Sequence, residues 1–289
     1  MESDPKNIVN TEQKQSEKFI DVEKVISEKN PRLLKTLPKF VLNYIKRVLH
    51  EQQINDFISR NGHLYDLEFI DKIIQEFGVI PVAHHLQNVP ESGGIVIASN
   101  HPLGGLDAMA LMQVLGTRRK DMHFIVNDIL LSFKNLKNLF IPVNKHGRSG
   151  SESVNMINQQ FASQEMTLVF PAGLVSRKQG GGVIRDLEWK KSFITKAKKY
   201  ERNILPVYIG GVNSNFFYNL SRWRKRIGIK ANIEMFYLMD EMYKQKGRKI
   251  NIVFGEPINY STFNKSKTDE QWAEYVKEKV YALASTIQQ

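Results

Sequence analysis

Apolar and polar positions change rhythm twice along the chain. Residues 1–18 hold little that can be buried and read as a solvated tail. Residues 19–78 then follow a helical spacing, with Phe40, Leu42, Ile45, Val48 and Leu49 recurring near the helical period and Arg32, Lys35, Lys39, Lys46 and Arg47 around them. This predicts a helical, membrane-proximal region whose apolar face either packs on its own domain or lies as a basic amphipathic surface on anionic lipid. From Val79 onward, short β-rich runs alternate with helical stretches. Strands are expected at 94–99, 123–126, 139–143, 166–170, 204–209 and 250–254, and helices at 107–115, 152–163, 187–200 and 268–286. Residues 79–289 are thus expected to form one α/β domain with a mixed, largely parallel sheet flanked by helices.

One segment of that domain carries candidate chemistry. In IVIASNHPLGGLDAMALMQVLG a strand ends near Ser99, a turn-rich loop follows, and an acidic residue opens a helix that closes at Gly116. Open α/β sheets place their sites on such loops, at the carboxyl ends of strands. Pro102 biases His101 toward an extended conformation, while Gly104 and Gly105 let the chain fold back so that Asp107 approaches the imidazole. A neutral imidazole accepts a proton from a hydroxyl, and a carboxylate on its other nitrogen fixes the tautomer and stabilises the imidazolium. The blander reading makes Asp107 a helix cap and His101 a loop residue. With neither G-x-x-x-x-G-K-[ST], G-x-G-x-x-G after a strand, G-x-S-x-G nor H-E-x-x-H in the chain, phosphate-loop, dinucleotide, serine-hydrolase and zinc-protease chemistry lack their signatures, and no metal is expected.

The Asn100–Asp107 segment resembles the first motif of the glycerolphosphate and lysophosphatidate acyltransferase superfamily, an Asn-His followed by Asp. It carries five residues between His101 and Asp107 where the family pattern has four. Bacterial hemolysin-like and lyso-ornithine-lipid acyltransferases look similar here. Further blocks follow in the family's order. NLFIPVNKHGRSG resembles the second motif, with Asn144 and Lys145 at its polar positions and Arg148 nearby; LVFPAGLVSRK resembles the third, with Phe170, Pro171, Gly173, Ser176 and Arg177; ILPVYIGG resembles the fourth, around Pro206. The family's acidic residue in the third motif is Ala172 here, which suggests an acceptor other than an ordinary glycerol phosphate. The resemblance implies a membrane-associated O-acyltransferase that moves a fatty acyl group from an acyl thioester to the hydroxyl of a lysolipid, either a lysophospholipid or a lyso-aminolipid. In that reading His101 is the general base and Asp107 its orienter. Asn100, Gly104, Gly105, Asn144, Lys145, Arg148, Gly173, Ser176 and Arg177 line the substrate site, and Arg177 and Lys145 meet the acceptor's headgroup. The donor is acyl carrier protein or coenzyme A carrying the acyl group, with no bound cofactor. A protein that keeps the fold but only binds lipid or acyl carrier is the alternative.

Charge narrows the partners. Among 289 residues, 41 Lys and Arg face 30 Asp and Glu, a formal net charge of +11, which calls for an anionic partner. The absence of cysteine excludes a disulfide framework and a thiol nucleophile. Around SRWRKRIGIK the charge is dense and aromatic, so Arg222, Trp223, Arg224, Lys225 and Arg226 are expected to form a loop in contact with an anionic membrane surface. A nucleic-acid partner is not favoured, because no nucleic-acid-binding motif accompanies these residues. The N-terminus lacks a basic stretch followed by an apolar one, and nowhere do about 18 or more apolar residues run together. The expected location is therefore peripheral, on the cytoplasmic face of the cell membrane.

Overall fold

The computed structural model describes residues 18–127, 133–143 and 149–287. The predicted tail falls almost wholly outside them. The chain divides into two compact units between Ser59 and Arg60.

The first unit holds α1 (Val22–Lys29), α2 (Pro31–Thr36), α3 (Lys39–Val48) and most of α4 (Glu51–Asn61). The Asp21 carboxylate accepts from the Lys24 amide and the Asn30 side chain from the Leu33 amide, so each of the first two helices starts on a capping residue. Buried Glu51 accepts from the Val22 amide at 3.3 Å and from Lys18 at 3.4 Å, and Lys46 pairs with Glu23. On α3 the predicted apolar face is split: Val48 is buried, whereas Phe40 is 75 % exposed.

The second unit begins with α5 (Asp66–Phe77), which the hydrophobic rhythm had grouped with the preceding helices. It belongs here because its apolar face, Phe69, Ile70, Ile74 and Phe77, is buried and it packs along α6 (Gly105–Gly116). Gly116 lets Leu67 of α5 approach closely, since a Cβ there would sit 3.0 Å from the leucine. The strands are β1 (Ile80–His84), β2 (Ile95–Ser99), β3 (Met122–Asn127), β4 (Phe140–Val143), β5 (Met166–Val169), the short hairpin β6 (Arg177–Lys178) and β7 (Ile184–Arg185), β8 (Asn203–Ile209) and β9 (Lys249–Phe254). Between and after them come α7 (Ser149–Ala162), α8 (Ser192–Lys199), α9 (Asn215–Arg226), α10 (Leu238–Tyr243) and α11 (Asp269–Ala282).

Seven strands form one sheet in the order β1-β9-β8-β2-β5-β3-β4. All pairings are parallel except β8 with β9, so β1 and β9 run against the other five. This is the expected mixed, largely parallel sheet. Strand β2 lies in its interior, with every residue buried, and its side chains alternate between faces. Val96 and Ala98 join Val169, Ile204, Phe193, Ile194 of α8 and Trp272, Ala273, Val276 and Val280 of α11 in one core layer. Strand β1 went unpredicted because IPVAH is short and contains a proline. It forms the sheet edge, where a missing amide is tolerated and Ile80 is half exposed.

The predicted helix at 187–200 starts only at Ser192; the residues before it are irregular and carry part of the site. The segment expected as a membrane-contact loop is instead helix α9, begun by Ser214, whose side chain accepts from the Phe217 amide. Among the described residues no helix is long and apolar enough to cross a membrane.

Candidate active site

Where β2 leaves the sheet, the next three residues are held by hydrogen bonds to residues far along the chain, some through backbone and some through side chains. Asn100 extends the ladder to β8 through its side chain: Nδ2 donates to the Ile209 carbonyl at 2.8 Å and Oδ1 accepts from the Ile209 amide at 2.7 Å. Both ends of that side chain are committed to backbone and it is 2 % exposed, so Asn100 aims the loop and does not line a substrate site. The His101 amide donates to Asp186 at 3.2 Å, and its carbonyl accepts from the Ser176 amide at 2.7 Å. The Pro102 carbonyl accepts from Asn213 at 3.0 Å.

From this anchored stretch the chain turns through Gly104, at φ +82°, into α6. A Cβ there would lie 2.6 Å from Leu238, so only glycine fits. The turn brings Asp107, in the first turn of α6, back onto the loop. Its carboxylate accepts from the Leu103 amide at 2.8 and 3.1 Å, from the Gly104 amide at 3.1 Å and from His101 Nδ1 at 2.9 Å. The additional residue between His101 and Asp107 is therefore absorbed in the glycine turn. An ionised carboxylate only accepts, so Nδ1 carries the hydrogen and Nε2 keeps its lone pair. Burial pushes the fully enclosed Asp107 carboxyl above the ordinary aspartate range, against the pull of His101 and the Leu103 amide. The imidazole stacks on Phe170 with centroids 4.1 Å apart, Phe170 meets Phe124 edge-on, and the histidine side chain is 16 % exposed. The result is a buried acid orienting a partly open base against an aromatic wall.

The remaining predicted residues separate. Gly173, at φ +64°, closes a tight turn in which its amide donates to the Phe170 carbonyl at 3.0 Å, so that amide is not available to substrate. Gly104 likewise spends its amide on Asp107. Gly105 lies one residue further into the first turn, and its amide is not among Asp107's donors. Ser176 is buried and donates to Asp186 at 2.5 Å, an internal bond in place of the expected substrate contact. Arg177 is also buried: it donates to Glu234 at 3.0 Å and to the Val175 carbonyl at 2.6 Å, and packs over the Phe217 ring. A guanidinium so enclosed and neutralised is not a headgroup receptor. Arg224 corrects the predicted membrane contact in the same way. Only 4 % exposed, it reaches inward to Glu234 and Asn232 and to the Ile229 carbonyl, while Arg222, Trp223, Lys225 and Arg226 are exposed. Asn144, Lys145 and Arg148 lie outside the described residues.

Three residues of the site were not anticipated: Asp186, Glu234 and Tyr281. Asp186 follows β7 just ahead of the stretch expected to be helical, and only its three-residue spacing to Trp189, which donates to it at 2.9 Å, marks it in the sequence. Glu234 sits in a 3₁₀ turn that pairs with distant arginines, a connection no local spacing reveals. A polar cleft of about 1120 Å³ in the first unit, lined by Lys18, Lys46, Arg47, Glu51 and neighbours, holds no histidine and lacks this chemistry.

A family model described as acyltransferase matches residues 24–289. The chain is 43 % identical over 267 residues to the lyso-glycine lipid O-acyltransferase of Bacteroides thetaiotaomicron, covering 92 % of this chain and 97 % of that protein. It is 40 % identical over 266 residues to the lyso-glycine lipid O-acyltransferase of Phocaeicola vulgatus, covering 92 % and 95 %. The crystal structure of the 1-acyl-sn-glycerophosphate acyltransferase of Thermotoga maritima aligns with 87 % of this chain and 98 % of its own, at a TM-score of 0.45 and 14 % identity. With a family match over most of its length and two relatives at this identity, the chain belongs to the acyltransferase family and is an acyltransferase.

Proposed function

We propose that this acyltransferase moves a fatty acyl group from a thioester, on acyl carrier protein or coenzyme A, to the hydroxyl of a lyso-glycine lipid at an anionic membrane surface. The observation that carries this reading is the 2.9 Å bond from His101 Nδ1 to buried Asp107, which leaves Nε2 as the acceptor. Nε2 takes the proton of the lysolipid hydroxyl as its oxygen attacks the thioester carbonyl carbon. The tetrahedral oxyanion collapses, the carbon–sulfur bond breaks, and the imidazolium returns its proton to the departing thiolate. First-turn amides of α6 that Asp107 does not use, beginning with Gly105, are the proposed oxyanion donors, at the positive end of the helix.

The two relatives and the charge of the site support this acceptor. Glycine joined through its nitrogen to a hydroxy-acyl chain keeps a carboxylate, which calls for a cation near the base. The exposed ammonium of Lys190 lies 3.1 Å from where a Cβ on Gly173 would be, beside the loop whose Phe170 stacks on His101. This supports Lys190 as the cation that Arg177 does not supply. Membrane association rests on α9, where Phe216 and Trp223, seven residues apart, are 50 % and 58 % exposed and Ile227 follows at 50 %, fringed by Arg222, Lys225 and Arg226. Aromatic rings enter the headgroup boundary while such cations attract anionic lipid; the cytoplasmic face is the proposed side.

Mass-spectrometric assay of a lysolipid panel with acyl-coenzyme A and acyl carrier protein donors tests the reading. Lyso-glycine lipid should be consumed in preference to lysophosphatidate, His101→Ala should abolish turnover, and Lys190→Ala should raise KM for the carboxylate acceptor more than it lowers kcat. Preferential use of lysophosphatidate would overturn the acceptor, and normal turnover by His101→Ala would overturn the mechanism.

A further inference from the structure

Asp186 is a second buried carboxylate at the site, with 0 % exposure, and no cation neutralises it among the described residues. Its side chain is satisfied by three neutral donors. One oxygen accepts from the His101 amide at 3.2 Å and from the Ser176 hydroxyl at 2.5 Å; the other accepts from Trp189 Nε1 at 2.9 Å. Its own amide donates to the Tyr281 hydroxyl at 2.7 Å, and its carbonyl accepts from Gln179 at 2.8 Å. Enclosing a carboxylate without a counter-charge is costly, and a buried position that needed only volume would be filled more cheaply by an apolar side chain. The groups it binds indicate what the charge is for. His101 supplies the base, and Ser176 ends the loop that begins at Phe170, the ring stacked on that base. Ser176 also binds the His101 carbonyl through its amide, so Asp186 and Ser176 grip both sides of the histidine backbone.

We propose that Asp186 is a positioning residue of the acyl-transfer centre: it anchors the His101 backbone and, through Ser176, the Phe170 loop, and Tyr281 ties this anchor to α11. The inference rests on the acyl-transfer reading for its kinetic consequence. Asp107 sets the tautomer of the ring and which way it faces; Asp186 sets where the residue carrying the ring sits. Misplacing a reacting group by about 1 Å costs on the order of 10²-fold in rate.

The test compares Asp186→Ala and Asp186→Asn with the full-length wild type, reading kcat, KM for the lysolipid, thermal midpoint and amide hydrogen exchange of the peptide containing His101. Asp186→Ala should lose about 10²-fold in kcat with KM little changed, and the His101 amide should exchange faster while strands β5 and β9 stay protected. Asp186→Asn keeps one acceptor oxygen but turns an N–H toward Trp189, so it should lie between alanine and wild type in both rate and exchange. Ser176→Ala added to Asp186→Ala should cost less than it does alone, because the two act as one clamp. A folded Asp186→Ala with kcat within about twofold of wild type, or one that loses rate while His101 keeps its protection, would overturn the proposal. If the alanine variant does not fold, the asparagine variant decides: equal kcat overturns, reduced kcat at unchanged KM with faster His101 exchange supports. Should the wild type transfer no acyl group to any lysolipid, the functional reading fails, and the exchange of His101 alone then decides whether Asp186 anchors it.

Discussion

At the residue scale, Asp107 occupies a place where a carboxylate works against folding and for catalysis. Burial raises it above the ordinary aspartate range, so the folded chain holds that proton more tightly than the unfolded chain does. Its contribution to stability is therefore greatest at acid pH and shrinks as pH rises from the unfolded aspartate value through the folded one. Asp107→Asn removes that cost at neutral pH while presenting an N–H to His101 Nδ1 and favouring the wrong tautomer. Losing the orienting carboxylate of such a pair costs up to about 10⁴-fold in kcat, so a fall of about 10²–10⁴-fold is expected. The thermal midpoint at pH 7 should be unchanged or higher, with the gap narrowing toward pH 4. Single-turnover acyl transfer and melts at the two pH values check both halves; a variant that is less stable and nearly fully active would contradict the assignment. The pair was legible beforehand because its determinants are local: His101, the glycine turn and Asp107 lie within seven residues. Asp186 was not, since it reaches His101 from 85 residues away and nothing in its own neighbourhood announces that contact.

At the scale of elements, the cluster of Arg177, Arg224 and Glu234 explains why basic residues read as surface ligands turned inward. Arg224 lies on the same side of α9 as buried Phe217, Tyr218 and Ser221, and Glu234 receives it together with Arg177 of β6 and the Ser221 hydroxyl. Burial alone would raise the Glu234 carboxyl, but the Arg224 hydrogen bond and both guanidinium charges hold it below the ordinary glutamate range. Composition shows an aromatic and basic stretch there; which cations face out depends on helical phase, and the high charge of NFFYNLSRWRKR obscures its period. Glu234→Gln leaves two buried guanidiniums without their shared anion, and breaking such a pair costs about 3–5 kcal/mol. A carboxylate lowered on folding stabilises above its unfolded value and loses that contribution as pH falls through its folded value. The variant should thus be markedly weaker than wild type in urea melts at pH 7, and the gap should close only in acid below the ordinary glutamate range, as pH falls through the lowered folded value. Equal stability at pH 7 would mean the cluster does not brace α9 against β6.

At the scale of the whole molecule, the formal charge of +11 is unevenly available. Arg177 and Arg224 are turned inward onto the one carboxylate of Glu234, and Arg119 is spent on Asp121 and on the Pro90, Gly93 and Gln164 carbonyls. What α9 offers outward is Arg222, Lys225 and Arg226 around Phe216 and Trp223. Each cation near an anionic surface contributes about 1 kcal/mol, and about 1.4 kcal/mol is tenfold in affinity. Replacing all three by Gln should therefore weaken binding to vesicles rich in anionic lipid by roughly 100-fold. Trp223→Ala should weaken it further by removing the ring that enters the headgroup boundary. Arg224→Gln belongs to a different class: it should lower the thermal midpoint, and any effect on vesicles should follow from unfolding. Salt separates attraction from apolar insertion, because screening shortens from about 10 Å at 0.1 M to about 3 Å at 1 M. Sedimentation of the wild type with anionic vesicles should fall steeply across that range, and neutral zwitterionic vesicles should retain little protein at any salt. If the triple Gln variant sediments with anionic vesicles as well as wild type does, the proposed face is not the one that meets lipid. The basic stretch of α3, with Lys39, Lys46 and Arg47 around exposed Phe40, would then be the next surface to neutralise.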